Sequence, residues 1–309
     1  MTQLWNGRRY YSLDSFLKNT FGEKLYKLSL DGGMTCPNRD GTLSSDGCIF
    51  CSTGGSGDFA VSHCMNTDEQ IVAAKLLVQN KYNGNRYIAY FQSYTNTYAP
   101  CDTLRRLFLP VIQRPDIAVL SIATRPDCLP KPVLELLAEL NTIKPVWVEL
   151  GLQTIHEHTA QYINRGYPLE VYQTAAERLH QIGIPVITHM IIGLPNETDE
   201  DILQTARYIG KIGKDGIKLQ LLHILKGTIL AEHYAQGQFS TLSFDCYIDL
   251  VCRILSVLPS DMVIHRLTGD GNKNDLIAPL WSGDKRRVLN SIQHELKLRD
   301  LWQGKFFAP

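Results

Sequence analysis

Three cysteines within sixteen residues have the clearest capacity for chemistry in this chain: Cys36, Cys48 and Cys51, spaced Cys-x11-Cys-x2-Cys in a Gly-rich loop that opens on Asp31-Gly-Gly. A close pair such as Cys48 and Cys51 can grip one metal centre, and the longer loop can bring Cys36 round as a third ligand. Three thiolates on a four-iron, four-sulfur (4Fe-4S) cluster leave one iron open. That iron can bind the amino and carboxylate groups of S-adenosylmethionine, so that an electron passed to the sulfonium makes a carbon radical. A zinc knob is the competing reading, and it would take His63 or Cys64 as fourth ligand. Buried structural cysteines fit poorly, because the loop is rich in Gly, Asp, Asn and Ser. Cys246 and Cys252 lie in an apolar helical stretch and read as core, while Cys64, Cys101 and Cys128 stand open as redox or auxiliary ligands.

The elements that must hold these cysteines follow a simple rhythm. Apolar runs at 25–30, 87–91, 117–122, 146–150, 186–192 and 217–222 read as buried parallel strands. Amphipathic stretches at 68–82, 103–113, 131–140, 169–182 and 199–212 read as the helices between them. Strand then helix, six times over, is the pattern of a parallel β/α barrel or a doubly wound sheet, and periodicity alone does not choose. Either architecture builds its site at the C-terminal ends of the strands, and the cysteine loop directly follows the first. After residue 225 the rhythm changes to a helix at 244–258, a strand at 262–265, a Gly/Asn/Asp loop at 268–274 and a helix at 284–299. The expected organisation is an N-terminal segment (1–20), a barrel (21–225) whose cluster loop is 31–57, and an α/β extension (226–309).

At 309 residues with 44% hydrophobic content, the chain has ample material for a packed core. Its 31 basic and 31 acidic residues cancel, so no global field draws nucleic acid or an anionic membrane, and any polyanion site must be a local patch. Met1 to Tyr10 lack the pattern of a secretory signal, and no window offers the roughly 18 apolar residues that span a bilayer. We expect a cytoplasmic protein with no membrane partner.

The cysteine loop, together with Gly151-Leu-Gln-Thr154, Asn164-Arg-Gly166 and His189-Met-Ile-Ile-Gly-Leu-Pro-Asn-Glu-Thr198, resembles the radical S-adenosylmethionine (SAM) superfamily, in its branch near the elongator catalytic subunit. Within that branch, Cys-Pro-Asn-Arg-Asp-Gly-Thr and Gly-Cys-Ile-Phe-Cys resemble a bacterial subgroup of oxidoreductase type. Most superfamily members space the cysteines Cys-x3-Cys-x2-Cys; the longer first interval here matches the subgroup. The resemblance spans roughly residues 20–300. It implies a partial (β/α)6 barrel of the TIM type, with SAM across the strand ends and a 5′-deoxyadenosyl radical that abstracts hydrogen. It makes Cys36, Cys48 and Cys51 the cluster ligands and sets Phe50 against the adenine. Gln92 and Ser93, in Gln92-Ser-Tyr-Thr-Asn96, stand where the family contacts the methionine amino group, although the usual Gly-Gly-Glu is missing.

Further positions carry chemistry of their own. Glu149 interrupts an apolar strand, where an ionised carboxylate is costly unless paired. It is expected to face the site and meet the ribose hydroxyls with Gln153 beside it, or else to form a structural ion pair. Arg125 and Arg165 are candidates for a cofactor or substrate carboxylate, with surface arginines as the alternative. His189 faces the barrel or is satisfied in the core, and Gly193 lets backbone approach adenine or simply turns the chain. Gln220 and His223 fall on opposite faces of a strand, so only one should line the site. Lys226 could meet an acidic substrate. Residues 261–309 hold eight Lys/Arg against six Asp/Glu, and residues 1–30 five against two, patches that suit a phosphate backbone or an ordinary solvated face.

By its elongator-like side, the resemblance implies tRNA as substrate and wobble-uridine chemistry, specifically conversion of 5-carboxymethylaminomethyluridine to 5-aminomethyluridine. A flavodoxin or ferredoxin would supply electrons, and no DNA partner is expected. Radical oxidation of a small metabolite or peptide, and a zinc-stabilised RNA-binding module without catalysis, are the alternatives.

Overall fold

The computed structural model describes residues 3–52, 54–55, 65–212, 215–269, 271 and 274–308; the possible ligands His63 and Cys64, and Asp270, lie outside the described residues. Six strands appear where the apolar runs stand: β1 (Tyr26–Leu30), β2 (Tyr87–Phe91), β3 (Ile117–Thr124), β4 (Val146–Gln153), β5 (Val186–Ile192) and β6 (Gly216–Leu221). They pair in parallel in sequence order. Helices α2 (Thr67–Val78), α3 (Cys101–Gln113), α4 (Lys131–Ile143), α5 (Glu157–Tyr162) with α6 (Leu169–Gln181), and α7 (Asp199–Ile212) make the crossovers. Local chemistry starts several of them. Asn66 and Glu69 form a reciprocal capping box on α2, and the Thr198 hydroxyl accepts from Asp201 N at the head of α7.

The extension does more than pack against this sheet. After the two-residue strand β7 (Ile224–Leu225), α8 (Ile229–Ala235) and α9 (Phe244–Val257), strand β8 (Val263–Arg266) pairs in parallel with β6, so the sheet has seven strands rather than six. Strand β9 (Leu276–Ala278) pairs antiparallel with β7, and α10 (Lys285–Leu298) lies on α9. Helix α1 (Leu13–Phe21) packs against the β8 edge, where the backbone of Ile264 donates to Tyr11 O. No helix among the described residues is long and apolar enough to cross a membrane.

Long-range contacts show that the sheet curls. Neighbouring strands lie about 4.8 Å apart, so β1 and β4 would be roughly 14 Å apart in a flat sheet. Yet Lys27 Nζ on β1 reaches Glu149 on β4 at 2.6 Å, and Lys218 Nζ on β6 reaches the Tyr90 hydroxyl on β2 at 3.0 Å. Alternation then sorts each strand into two faces. On β4 the even residues Val148, Leu150 and Leu152 join the core beneath the helices, while the odd residues Trp147, Glu149, Gly151 and Gln153 enter the half-barrel. The interior is therefore layered, as in closed β/α barrels. Ile88, Trp147 and Ile187 pack with Leu17 and Leu25 at the bottom, a polar layer lies at the level of Glu149, and an open cavity sits above it.

Candidate active site

Cys36, Cys48 and Cys51 all line that cavity, on the loop that leaves the top of β1. A tight turn closes the pair, with Cys51 N donating to Cys48 O at 2.9 Å. The loop is fastened from both sides. The Arg39 guanidinium donates to Cys51 O and Ser52 O at 2.8 and 2.6 Å. Asn38, almost wholly buried, donates from Nδ2 to Asn164 O at 2.6 Å and faces Cys48 Sγ at 3.7 Å. Asn164 answers by donating to Gly47 O at 2.7 Å.

The donor set fits a cluster. None of the three cysteines is in a disulfide, and burial, reinforced by the Cys51 thiol alongside, pushes the Cys48 thiol up to about 12. A thiol in that setting ionises against a metal rather than against water. An N–H aimed at its sulfur is the kind of hydrogen bond that tunes a cluster ligand.

Around the cysteines the same cavity gathers Phe50, Gln92, Tyr94, Arg125, Gly151, Gln153, His189 and Gln220. Gln153 adopts φ +65, turning the end of β4, and its Oε1 receives the Tyr167 hydroxyl at 3.4 Å. Arg125 faces the cavity beside the cysteines, but it is not free to swing: Nε and Nη2 grip Asp127 at 2.9 and 2.7 Å, and Nη1 donates to Arg165 O at 3.0 Å. Gln220 and His223 both line the cavity, contrary to strict alternation, because β6 ends at Leu221 and the chain turns before His223.

The polar layer centres on Glu149, which is fully buried and receives four donors. Lys27 Nζ (2.6 Å) and Ser121 Oγ (2.9 Å) reach Oε1; His189 Nε2 (2.8 Å) and Lys218 Nζ reach Oε2. Burial alone would raise its carboxyl, but Lys218, Lys27 and His189 outweigh that and hold it well below the usual carboxylate range. Burial, with the Lys218 charge beside it, pushes His189 down to about 4 against the pull of Glu149, so the imidazole is neutral near pH 7. Burial likewise pushes the Lys218 ammonium down and Glu149 opposes it; close contact with an ionised carboxylate keeps the proton on Nζ. The four donors fill the carboxylate's capacity, so Glu149 is an ion-pair centre rather than a ribose ligand.

Four other expected site residues lie elsewhere. Arg165, 1% exposed, spends its guanidinium on Tyr167 O, Leu152 O, Thr154 O and Glu157, at 2.7 to 3.0 Å. Asn164-Arg165-Gly166 thus ties β4 to the cysteine loop and does not meet a ligand carboxylate. Arg165→Met would strand the buried carbonyls of Tyr167 and Thr154, while Leu152 O keeps the Thr154 amide, and the expected cost is about 3 kcal/mol, read as a lower urea unfolding midpoint. Lys226 is exposed, donates to Asn274 O at 2.7 Å and does not line the cavity. Ser93 is buried and, unlike Gln92, does not line the cavity. Gly193, at φ +89, does not line the cavity; a side chain there would meet Leu242 at 2.9 Å, so the position serves the turn after β5.

Lys27 and Lys218 are the residues that sequence reasoning missed. Each is a lone cation inside an apolar strand, the same signal that singled out Glu149.

Comparison with known proteins agrees with this geometry. The Radical SAM superfamily model matches residues 36–209 and the Radical_SAM C-terminal domain model matches 214–298. The protein YtqA of Bacillus subtilis is 46% identical over 97% of this chain and 93% of its own. Elongator complex protein 3 of Schizosaccharomyces pombe is 31% identical over 59% of this chain and 34% of its own length. Among solved structures, archaeal Elp3 of Methanocaldococcus infernus superposes with a TM-score of 0.66 at 16% identity, over 90% of this chain and 64% of that one, a likeness of fold. The three thiols lining the cavity of a curled parallel sheet and the matched span from Cys36 to Ile209 meet in one assignment: the chain belongs to the radical SAM superfamily, enzymes that work with a 4Fe-4S cluster and SAM.

Proposed function

We propose that this enzyme acts on the wobble-uridine side chain of tRNA, converting 5-carboxymethylaminomethyluridine to 5-aminomethyluridine in the cytoplasm, with a flavodoxin or ferredoxin as electron donor. The observation that carries this reading is the charge of the cavity wall, where, among the described residues, Arg39, Arg125, Lys218 and Arg266 line the cavity with one carboxylate, Glu149. Such a wall favours an anionic substrate. The elongator likeness supports the RNA part of the reading.

Cys36, Cys48 and Cys51 would hold the cluster, which with SAM would supply a 5′-deoxyadenosyl radical and a place for the electron released by the oxidised substrate. The hydrogen atom is lost from the methylene between nitrogen and carboxylate, where both substituents stabilise the carbon radical. Loss of the further electron leaves the protonated imine, and water then releases the primary amine and glyoxylate. Phe50 and Gln153 stand to hold the nucleoside of the cofactor, Gln92 its methionine end and Arg125, fixed by Asp127, its carboxylate. Arg266 lies on β8, at the opposite end of the strand order from β1, and lines the cavity.

The test is nucleoside mass spectrometry on tRNA from a strain lacking this gene, incubated with reconstituted enzyme, reductant and SAM. The carboxymethylaminomethyl nucleoside should fall and the aminomethyl nucleoside rise by the same amount. Formation of 5′-deoxyadenosine with unchanged tRNA would discard the substrate and leave the radical chemistry standing.

A further inference from the structure

The polar layer beneath the cavity carries more positive than negative charge. Lys27 and Lys218 share one carboxylate, His189 on the same carboxylate is neutral, and both ammonium groups lie over the Tyr90 ring, at 4.5 and 4.4 Å. Ser121 and Tyr90 add hydroxyls and no charge. The Lys218 side chain is 4% exposed, yet its residue lines the cavity. Its ammonium has three protons. One goes to Glu149 and one to the Tyr90 hydroxyl, and among the described residues the third meets no acceptor.

A buried ammonium with an unused proton is costly, and cavities keep such groups where a ligand completes them. We propose that Lys218 is an anion subsite, its free N–H and the surplus charge of the Lys27/Lys218/Glu149 cluster receiving a carboxylate of the substrate at the base of the cavity. The proposal deepens the function given above, and only the identity of the carboxylate rests on that reading. Neutral His189 completes the layer without adding a third positive charge. The layer would therefore reject a substrate whose buried end is cationic.

The test compares matched ligands by calorimetry on reconstituted enzyme saturated with SAM. One pair is 5-carboxymethylaminomethyluridine and its carboxamide, and a second is an N-benzylglycine and its amide, which lacks any nucleoside. Within a pair, the carboxylate should bind about tenfold tighter or more, the worth of one charge-assisted hydrogen bond. In Lys218→Met, with cluster content checked by iron analysis, the two members should bind alike, and Lys218→Arg should restore part of the preference. A Lys218-dependent preference seen only in the benzyl pair keeps the subsite and removes the uridine. Equal affinity in both pairs, no binding in either, or a preference that survives Lys218→Met overturns the subsite.

Discussion

Cys48→Ala is expected to leave a folded protein that assembles no 4Fe-4S cluster and whose 5′-deoxyadenosine production falls at least about a thousandfold, to the background of cluster-free protein. Cys48 lies between two fastenings, the Asn38 amide facing its sulfur and the turn that brings Cys51 N to its carbonyl. Alanine keeps the turn and removes one of three ligands. The fold should survive because the loop is held by groups other than the thiol, chiefly Arg39 on the carbonyls of Cys51 and Ser52 and Asn164 on Gly47. Far-UV circular dichroism together with iron and sulfide analysis separates the two effects. An unfolded variant would show that the cluster, rather than this hydrogen-bonded frame, holds the loop.

The second large effect belongs to stability. Glu149→Ala leaves Lys27 and Lys218 facing each other across the half-barrel with no counter-charge, and removing one partner of a buried ion pair costs about 3–5 kcal/mol. The urea unfolding midpoint should drop accordingly. The double variant Glu149→Leu with Lys218→Met should recover much of the loss, because the buried charge is removed with its partner. The sign of the pH dependence follows from the depressed carboxyl of Glu149. Its stabilising contribution is full above the ordinary carboxylate range and is lost as pH falls through the lower folded value. A single variant as stable as the parent would mean that water, rather than Glu149, compensates the two ammonium groups.

How much of this could be read in the chain depends on the range of the contacts involved. Strands β2, β3 and β5 start where their apolar runs start, because a doubly covered parallel strand must be apolar on both faces. The cysteine loop was legible for a different reason, since three ligands close in sequence need no knowledge of the fold. Glu149 was legible only halfway. Its isolation in an apolar strand announced a buried charge, but its partners lie on β1, β5 and β6, and only the curl of the sheet brings Lys27 and Lys218 to it. Arg165 and Lys226 misled because loop arginines and lysines look alike in sequence whether they bind ligand, backbone or solvent. The seventh strand was hidden in the same way: residues 262–265 read as a short strand, but nothing local says that β8 joins the edge of β6.

The most direct test of the account is to reconstitute the chain without oxygen, count iron and acid-labile sulfide, and measure 5′-deoxyadenosine after adding dithionite and SAM. The account predicts close to four of each per chain and nucleoside production that vanishes in Cys48→Ala. One bound zinc, no sulfide and no 5′-deoxyadenosine would contradict it.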